Sequence, residues 1–182
     1  PPPEEQTQAP FFEAQFSKTI VPENGVLASL EQVLGEDLPA GLTLLAFQNT
    51  DAFFQELGIQ PPEELSRLFG EAAVFAYSDA TKTKKRIGLV IQLDNADLAQ
   101  ELLRSWEPQM EQSFALFMSA QGQKDKAYVS FFRTATHEGT PIRFQTFSLG
   151  DLGLCYALVD NKYLVFAGSL ESIKAAIDNL TK

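Results

Sequence analysis

Apolar residues recur along this chain at two spacings, interrupted by Pro, Gly, Asn and Asp. The runs LTLLAF (42–47), EAAVFAYSD (71–79), KRIGLVIQL (85–93), LGLCYALV (152–159) and YLVFAG (163–168) are short and rich in Val, Ile, Phe and Tyr, which predicts buried strands. AYVSFFRTAT (127–136) and PIRFQTFS (141–148) read the same way, with a turn at His137-Glu138-Gly139 between them. Short polar or glycine-bearing junctions at 80–84, 149–151 and 160–161 make most sequence neighbours antiparallel.

The second spacing is helical. Ala99, Leu102, Leu103, Trp106, Met110, Phe114 and Phe117 form one apolar stripe in ADLAQELLRSWEPQMEQSFALFMSA. Asp94-Asn95 stands before it as a cap. Pro108 falls inside it, where a proline removes a hydrogen bond and clashes with the preceding turn, so a kink at Trp106-Glu107 or two separate helices is expected. Shorter helices are predicted after Pro22 (Val26, Leu27, Leu30, Val33, Leu34), over AFFQELG, after Pro61-Pro62-Glu63-Glu64, and over ESIKAAIDNL with Ser169 as its cap. Strand, polar cap and helix follow one another three times, at Asn49-Thr50-Asp51, Asp94-Asn95 and Gly168-Ser169. The predicted class is α+β: a mainly antiparallel sheet of about seven strands with helices packed on one face. PPPEEQTQAP (1–10) reads as an extended Pro-rich linker, and 11–182 as a single domain that opens on the apolar cluster Phe11, Phe12 and Phe16. The linker-like start suggests that a signal or anchor helix precedes Pro1.

Charge narrows the partners. A net charge of −10 and a pI near 4.5 disfavour nucleic acid, whose phosphates need a basic surface. They equally disfavour adhesion to anionic membrane by surface charge, so the expected membrane link is the N-terminal anchor alone. Lys82, Lys84, Lys85 and Arg86 form the one basic run, read as a solvated hairpin tip.

Candidate chemistry is sparse. No phosphate-binding glycine loop, zinc spacing or nucleophile elbow occurs, so no catalytic, cofactor or metal residue is nominated. His137 is the only histidine, and Cys155, the only cysteine, lies inside a predicted strand as a buried thiol. Acidic neighbours such as Glu36-Asp37 and Glu63-Glu64 point in different directions on a helix and suit solvation. Phe supplies 15 of 182 residues, which raises an apolar ligand cavity between the sheet and the kinked helix as an alternative to a plain aromatic core. Its candidate lining is Trp106, Met110, Phe114, Phe117, Phe131 and Phe144.

Four stretches carry a family resemblance: DLPAGLTLLAFQNTD (37–51), FGEAAVFAYSD (69–79), RIGLVIQLDNADLAQELL (86–103) and LCYALVDNKYLVFAGSLESIKAAID (154–178). They resemble a bacterial extracytoplasmic, often membrane-anchored family of uncharacterised proteins, a domain of unknown function. The resemblance spans about 140 residues and rests on structural punctuation. It brings no catalytic residues with it. It implies a non-enzymatic domain displayed outside the cytoplasm and acting on a protein or cell-envelope partner.

Overall fold

The computed structural model describes residues 18–20, 40–47, 54–55, 60–81, 85–120, 131–146 and 152–181, together with 32, 35 and 38. The Pro-rich linker, Phe11, Phe12, Phe16, most of the helix expected after Pro22, and Lys82 and Lys84 lie outside the described residues. The strands are β1 (Lys18–Ile20), β2 (Gly41–Phe47), β3 (Phe69–Ser78), β4 (Lys85–Leu93), β5 (Arg133–His137), β6 (Thr140–Thr146), β7 (Leu152–Val159) and β8 (Tyr163–Ser169). The helices are α1 (Glu63–Ser66), α2 (Ala96–Ala120) and α3 (Leu170–Leu180). The expected strands are present as β2 to β8, and the three-residue β1 adds a parallel edge beside β2.

All eight strands form one sheet in the order β1-β2-β3-β4-β8-β7-β6-β5, antiparallel beyond β1. The fold is α+β. Its turns follow from residue type. Glu138 and Gly139 both have positive φ (48° and 77°) between the paired residues His137 and Thr140, as a two-residue hairpin turn requires. Between β7 and β8 the turn has three residues, Asp160-Asn161-Lys162, joining the paired Val159 and Tyr163; Asp160 and Asn161 have positive φ, and the Lys162 N–H returns to the Val159 carbonyl at 3.1 Å.

The helices do not share a face of the sheet, contrary to the sequence expectation. Val74, Ala76, Leu89, Ile91, Tyr156, Leu164 and Phe166 pack with Ala99, Leu103, Trp106 and Met110 of α2, with Leu65 of α1 and with Phe54. The alternating positions Ala73, Phe75, Val90, Cys155, Ala157, Val165 and Ala167 pack with Ile173, Ala176, Ile177 and Leu180 of α3. Successive residues of a strand point to opposite faces, so two interleaved sets of apolar residues demand two covers. The central strands are apolar at nearly every position for this reason, with Tyr163 to Ala167 of β8 all buried.

Of the three expected cap sites, Asn49-Thr50-Asp51 lies outside the described residues, and the other two act as expected. Asn95 Oδ1 accepts from the Leu98 N–H at 3.1 Å, and Ser169 Oγ accepts from the Ser172 N–H at 3.1 Å. Pro108, however, lies within one 25-residue helix and does not divide it. Burial of Leu103 and Met110, each worth about 1.5–3 kcal/mol, holds the helix on the sheet on both sides of the proline. That offsets the roughly 3 kcal/mol of an interior proline.

Gly88 is fixed by packing. It pairs directly with Phe75, and a Cβ there would lie 2.0 Å from Phe75 Cζ and 2.5 Å from the Phe166 carbonyl oxygen. The bare backbone leaves room for the Phe75 ring at the sheet's centre. Gly88→Ala is therefore expected to destabilise the domain by about 1–3 kcal/mol, read as a lower urea midpoint at unchanged slope. An unchanged midpoint refutes this account of Gly88.

Candidate functional site

The outer hairpin, β5 and β6, is where charged side chains converge. On the α2 face Arg143 of β6 meets Glu107 of α2. Arg143 Nε donates to Glu107 Oε1 and Arg143 Nη2 to Glu107 Oε2, both at 2.7 Å. The Tyr156 hydroxyl of β7 donates to Glu107 Oε1 at 2.5 Å. Arg143 Nη1 also donates to Thr134 Oγ1 at 2.8 Å, which ties β5 into the same group. The register explains the convergence: Arg143 is paired with Thr134 on one side and Tyr156 on the other, so all three share a face.

Only 10% of the Glu107 side chain and 16% of Arg143 is exposed. Burial pushes the Glu107 carboxyl up, but hydrogen bonds from Arg143 and Tyr156 and the Arg143 charge outweigh it and hold the group below its ordinary value. Arg143 is raised by its hydrogen bond to Glu107. Burial, followed by the bond to Glu107, raises Tyr156. Each member stabilises the ionisation state the others need, so this cluster acts as a clamp.

The opposite face carries a second clamp. His137 Nε2, at the end of β5, lies 2.7 Å from Asp178 Oδ1 of α3. The chain entering β5 is held too. The Phe132 N–H donates to Glu111 Oε1 at 2.9 Å, and the buried Phe132 ring meets Tyr156 edge-on at 5.7 Å. Phe131 beside it is 65% exposed. Arg133 stacks over the Phe144 ring at 5.1 Å. The hairpin is thereby fixed to both helices, while β5 forms the outermost described strand on this side, with Arg133, Thr134 and Thr136 exposed.

Of the six residues proposed to line an apolar cavity, the four whose side chains are described, Trp106, Met110, Phe131 and Phe144, are not gathered together. Trp106 and Met110 are buried in the packed core on the α2 face, with Phe54 and Phe166 edge-on to Trp106 at 6.1 and 6.2 Å. Phe144 packs on the α3 face and Phe131 is exposed. Sheet alternation separates them, because Phe144 and Tyr156 sit at opposite parity. The side chains of Phe114 and Phe117 lie outside the described residues. Among the described residues no group of three or more His, Cys, Asp or Glu could hold a metal, and no helix is long and apolar enough to cross a membrane.

Sequence reasoning missed Glu107, Arg143 and Asp178. A faint signal exists for the first, since Glu107 stands four residues after Leu103 and three before Met110, beside the apolar stripe. Arg143 and Gln145 alternate with Ile142 and Phe144, which marks β6 as carrying polar groups toward one face. Comparison with protein-family models, curated proteins and solved structures finds no match to this chain.

Removing Arg143 leaves the Glu107 charge uncompensated, so Arg143→Met is expected to cost about 2–4 kcal/mol, and adding Glu107→Gln to recover part of it. Both are measured by urea denaturation, and a double variant no better than the single one contradicts the clamp. The lowered native pKa of Glu107 fixes the pH dependence. Its stabilisation is present above its ordinary value of 4.5 and is lost as pH falls through the native value. The urea midpoint of the wild type should therefore fall more steeply below pH 4.5 than that of Glu107→Gln. Cys155, buried and pushed by desolvation to about 12, should resist a thiol reagent at pH 8 in the native protein and react at once in urea.

Proposed function

We propose that this chain is a non-enzymatic extracytoplasmic domain, anchored to the bacterial cell membrane through its Pro-rich stalk and acting by contact with a protein partner in the cell envelope. The observation that carries this reading is the β5 edge. A strand at a sheet's margin offers unpaired backbone donors and acceptors, to which an extended segment adds as a further strand. Natural proteins commonly blunt such edges, yet here the last hairpin is held rigid from both faces and an exposed aromatic, Phe131, stands at its entrance. A rigid edge loses little entropy on pairing.

Two further features support the reading. The clamp groups Glu107, Arg143 and Tyr156 engage one another, which suits a role in positioning the edge. The resemblance to an anchored extracytoplasmic family agrees with the linker-like start PPPEEQTQAP. The acidic surface keeps the domain off anionic lipid and leaves the stalk as its membrane link.

The test places a photo-reactive amino acid at Phe131 of the full-length protein in living cells, with one at Asp160 as the control. Ultraviolet light should yield a protein adduct from position 131 alone. Thr136→Pro, which removes an edge donor, should reduce it about tenfold. Equal adducts at 131 and 160, or indifference to Thr136→Pro, refute the reading. Cytoplasmic fractionation of the full-length protein refutes its location, and a hydrolytic activity abolished by one point substitution refutes its non-enzymatic character.

A further inference from the structure

We infer that the strand added to β5 is β5 of a second copy of this chain, paired antiparallel across a two-fold axis at Ala135. This rests on the reading of β5 as the interaction surface and names its partner. Two eight-stranded sheets would join into one, as symmetric dimers commonly do through identical patches.

The ladder phase comes first. The two-residue turn at Glu138-Gly139 makes His137–Thr140 a hydrogen-bonded pair. Bonded pairs alternate in an antiparallel ladder, so Ala135–Ile142 and Arg133–Phe144 are bonded as well. Thr134 and Thr136 therefore turn their backbone N–H and C=O groups away from β6, toward the side on which no further described strand lies. Antiparallel pairing centred on Ala135 sets Thr134 opposite Thr136 of the second copy, and the reverse. Each pair then exchanges two backbone hydrogen bonds, and no outward group inside this stretch is left over.

The side chains agree with that register. Arg133-Thr134-Ala135-Thr136-His137 is nearly palindromic in character. Ala135 meets Ala135 of the second copy at a non-hydrogen-bonded position, where Cα atoms approach to about 4.5 Å and small side chains fit. Threonine pairs across strands are favourable. Arg133 lands beside His137 of the second copy, whose ring holds Asp178. The Asp178 side chain is 46% exposed, so its carboxylate faces solvent where a cation of the second copy would arrive, a charge-complementary placement. Symmetry makes this contact twice. A parallel alignment would instead set Arg133 against Arg133. The same antiparallel register carries the exposed Phe131 to the level of Gly139 of the second copy, above which a Cβ would meet nothing within 4 Å. The contact is small, and confinement of anchored chains to one membrane raises their effective concentration.

The test is disulfide trapping of the 182-residue chain, with circular dichroism confirming that each variant is folded. Ala135→Cys places two thiols across the axis at a spacing a disulfide spans, and mild oxidation should give a covalent dimer. Glu138→Cys should not, since its two copies would lie about 20 Å apart along the strands. Thr136→Pro should abolish the Ala135→Cys dimer. Arg133→Glu should weaken dimerisation of the otherwise unaltered chain about tenfold in sedimentation velocity at low salt, and adding Asp178→Lys should restore part of it. Equal trapping at 135 and 138, or a sedimentation profile unaffected by Thr136→Pro and Arg133→Glu, overturns the inference. If self-trapping fails while the Phe131 adduct forms with a different protein and still depends on Thr136, self-pairing alone falls. If that adduct is absent as well, the interaction reading falls with it.

Discussion

Burial of the sheet on both faces is the constraint from which the other features follow. The four central strands, β3, β4, β8 and β7, carry apolar side chains at successive positions, so neither face can be left to water. One long helix covers one side and one short helix the other. At the crossing point of these demands stands Gly88, which has no side chain because the Phe75 ring paired with it occupies that space. Small and large residues on adjacent strands are thus set by each other.

Away from the centre the solution changes from apolar packing to charge. β5 is largely exposed, and its hairpin is held by polar contacts reaching in from the helices. On one face Glu107 receives Arg143 and Tyr156, and on the other Asp178 meets His137. A carboxylate as enclosed as Glu107 is costly to desolvate, and only its complete set of donors makes it tolerable. Directional contacts fix the hairpin's orientation in a way that non-directional apolar burial does not. A positioned outer strand is the consequence, and it links the energetics of the fold to the surface proposed for interaction.

Much of this architecture was legible in the residues. The strand runs 71–79, 85–93, 152–159 and 163–168, the turns at Glu138-Gly139 and Asp160-Asn161, and the caps Asn95 and Ser169 all express local preferences. Such preferences act over a few residues and survive in the fold. Of the two outcomes expected at Pro108, a kink or two separate helices, the second does not occur, because tertiary burial of Leu103 and Met110 holds one helix together. The four described members of the proposed cavity lining are dispersed for a different reason. Phe131, Phe144, Trp106 and Met110 are alike in chemistry, but sheet alternation and exposure send them to three places.

By itself the sequence determined the strands, the antiparallel class, the turns and the helix starts, because each is governed by periodicity and by the conformational limits of a few neighbouring residues. It also set the acidic surface and the buried thiol. Only the tertiary structure decided which helix covers which face, and that Glu107, Arg143 and Tyr156 meet across gaps of 36 and 49 residues. The same is true of His137 and Asp178, 41 residues apart. Those meetings depend on strand order and register, which the whole chain fixes together, and no local pattern records which side chains they bring into contact.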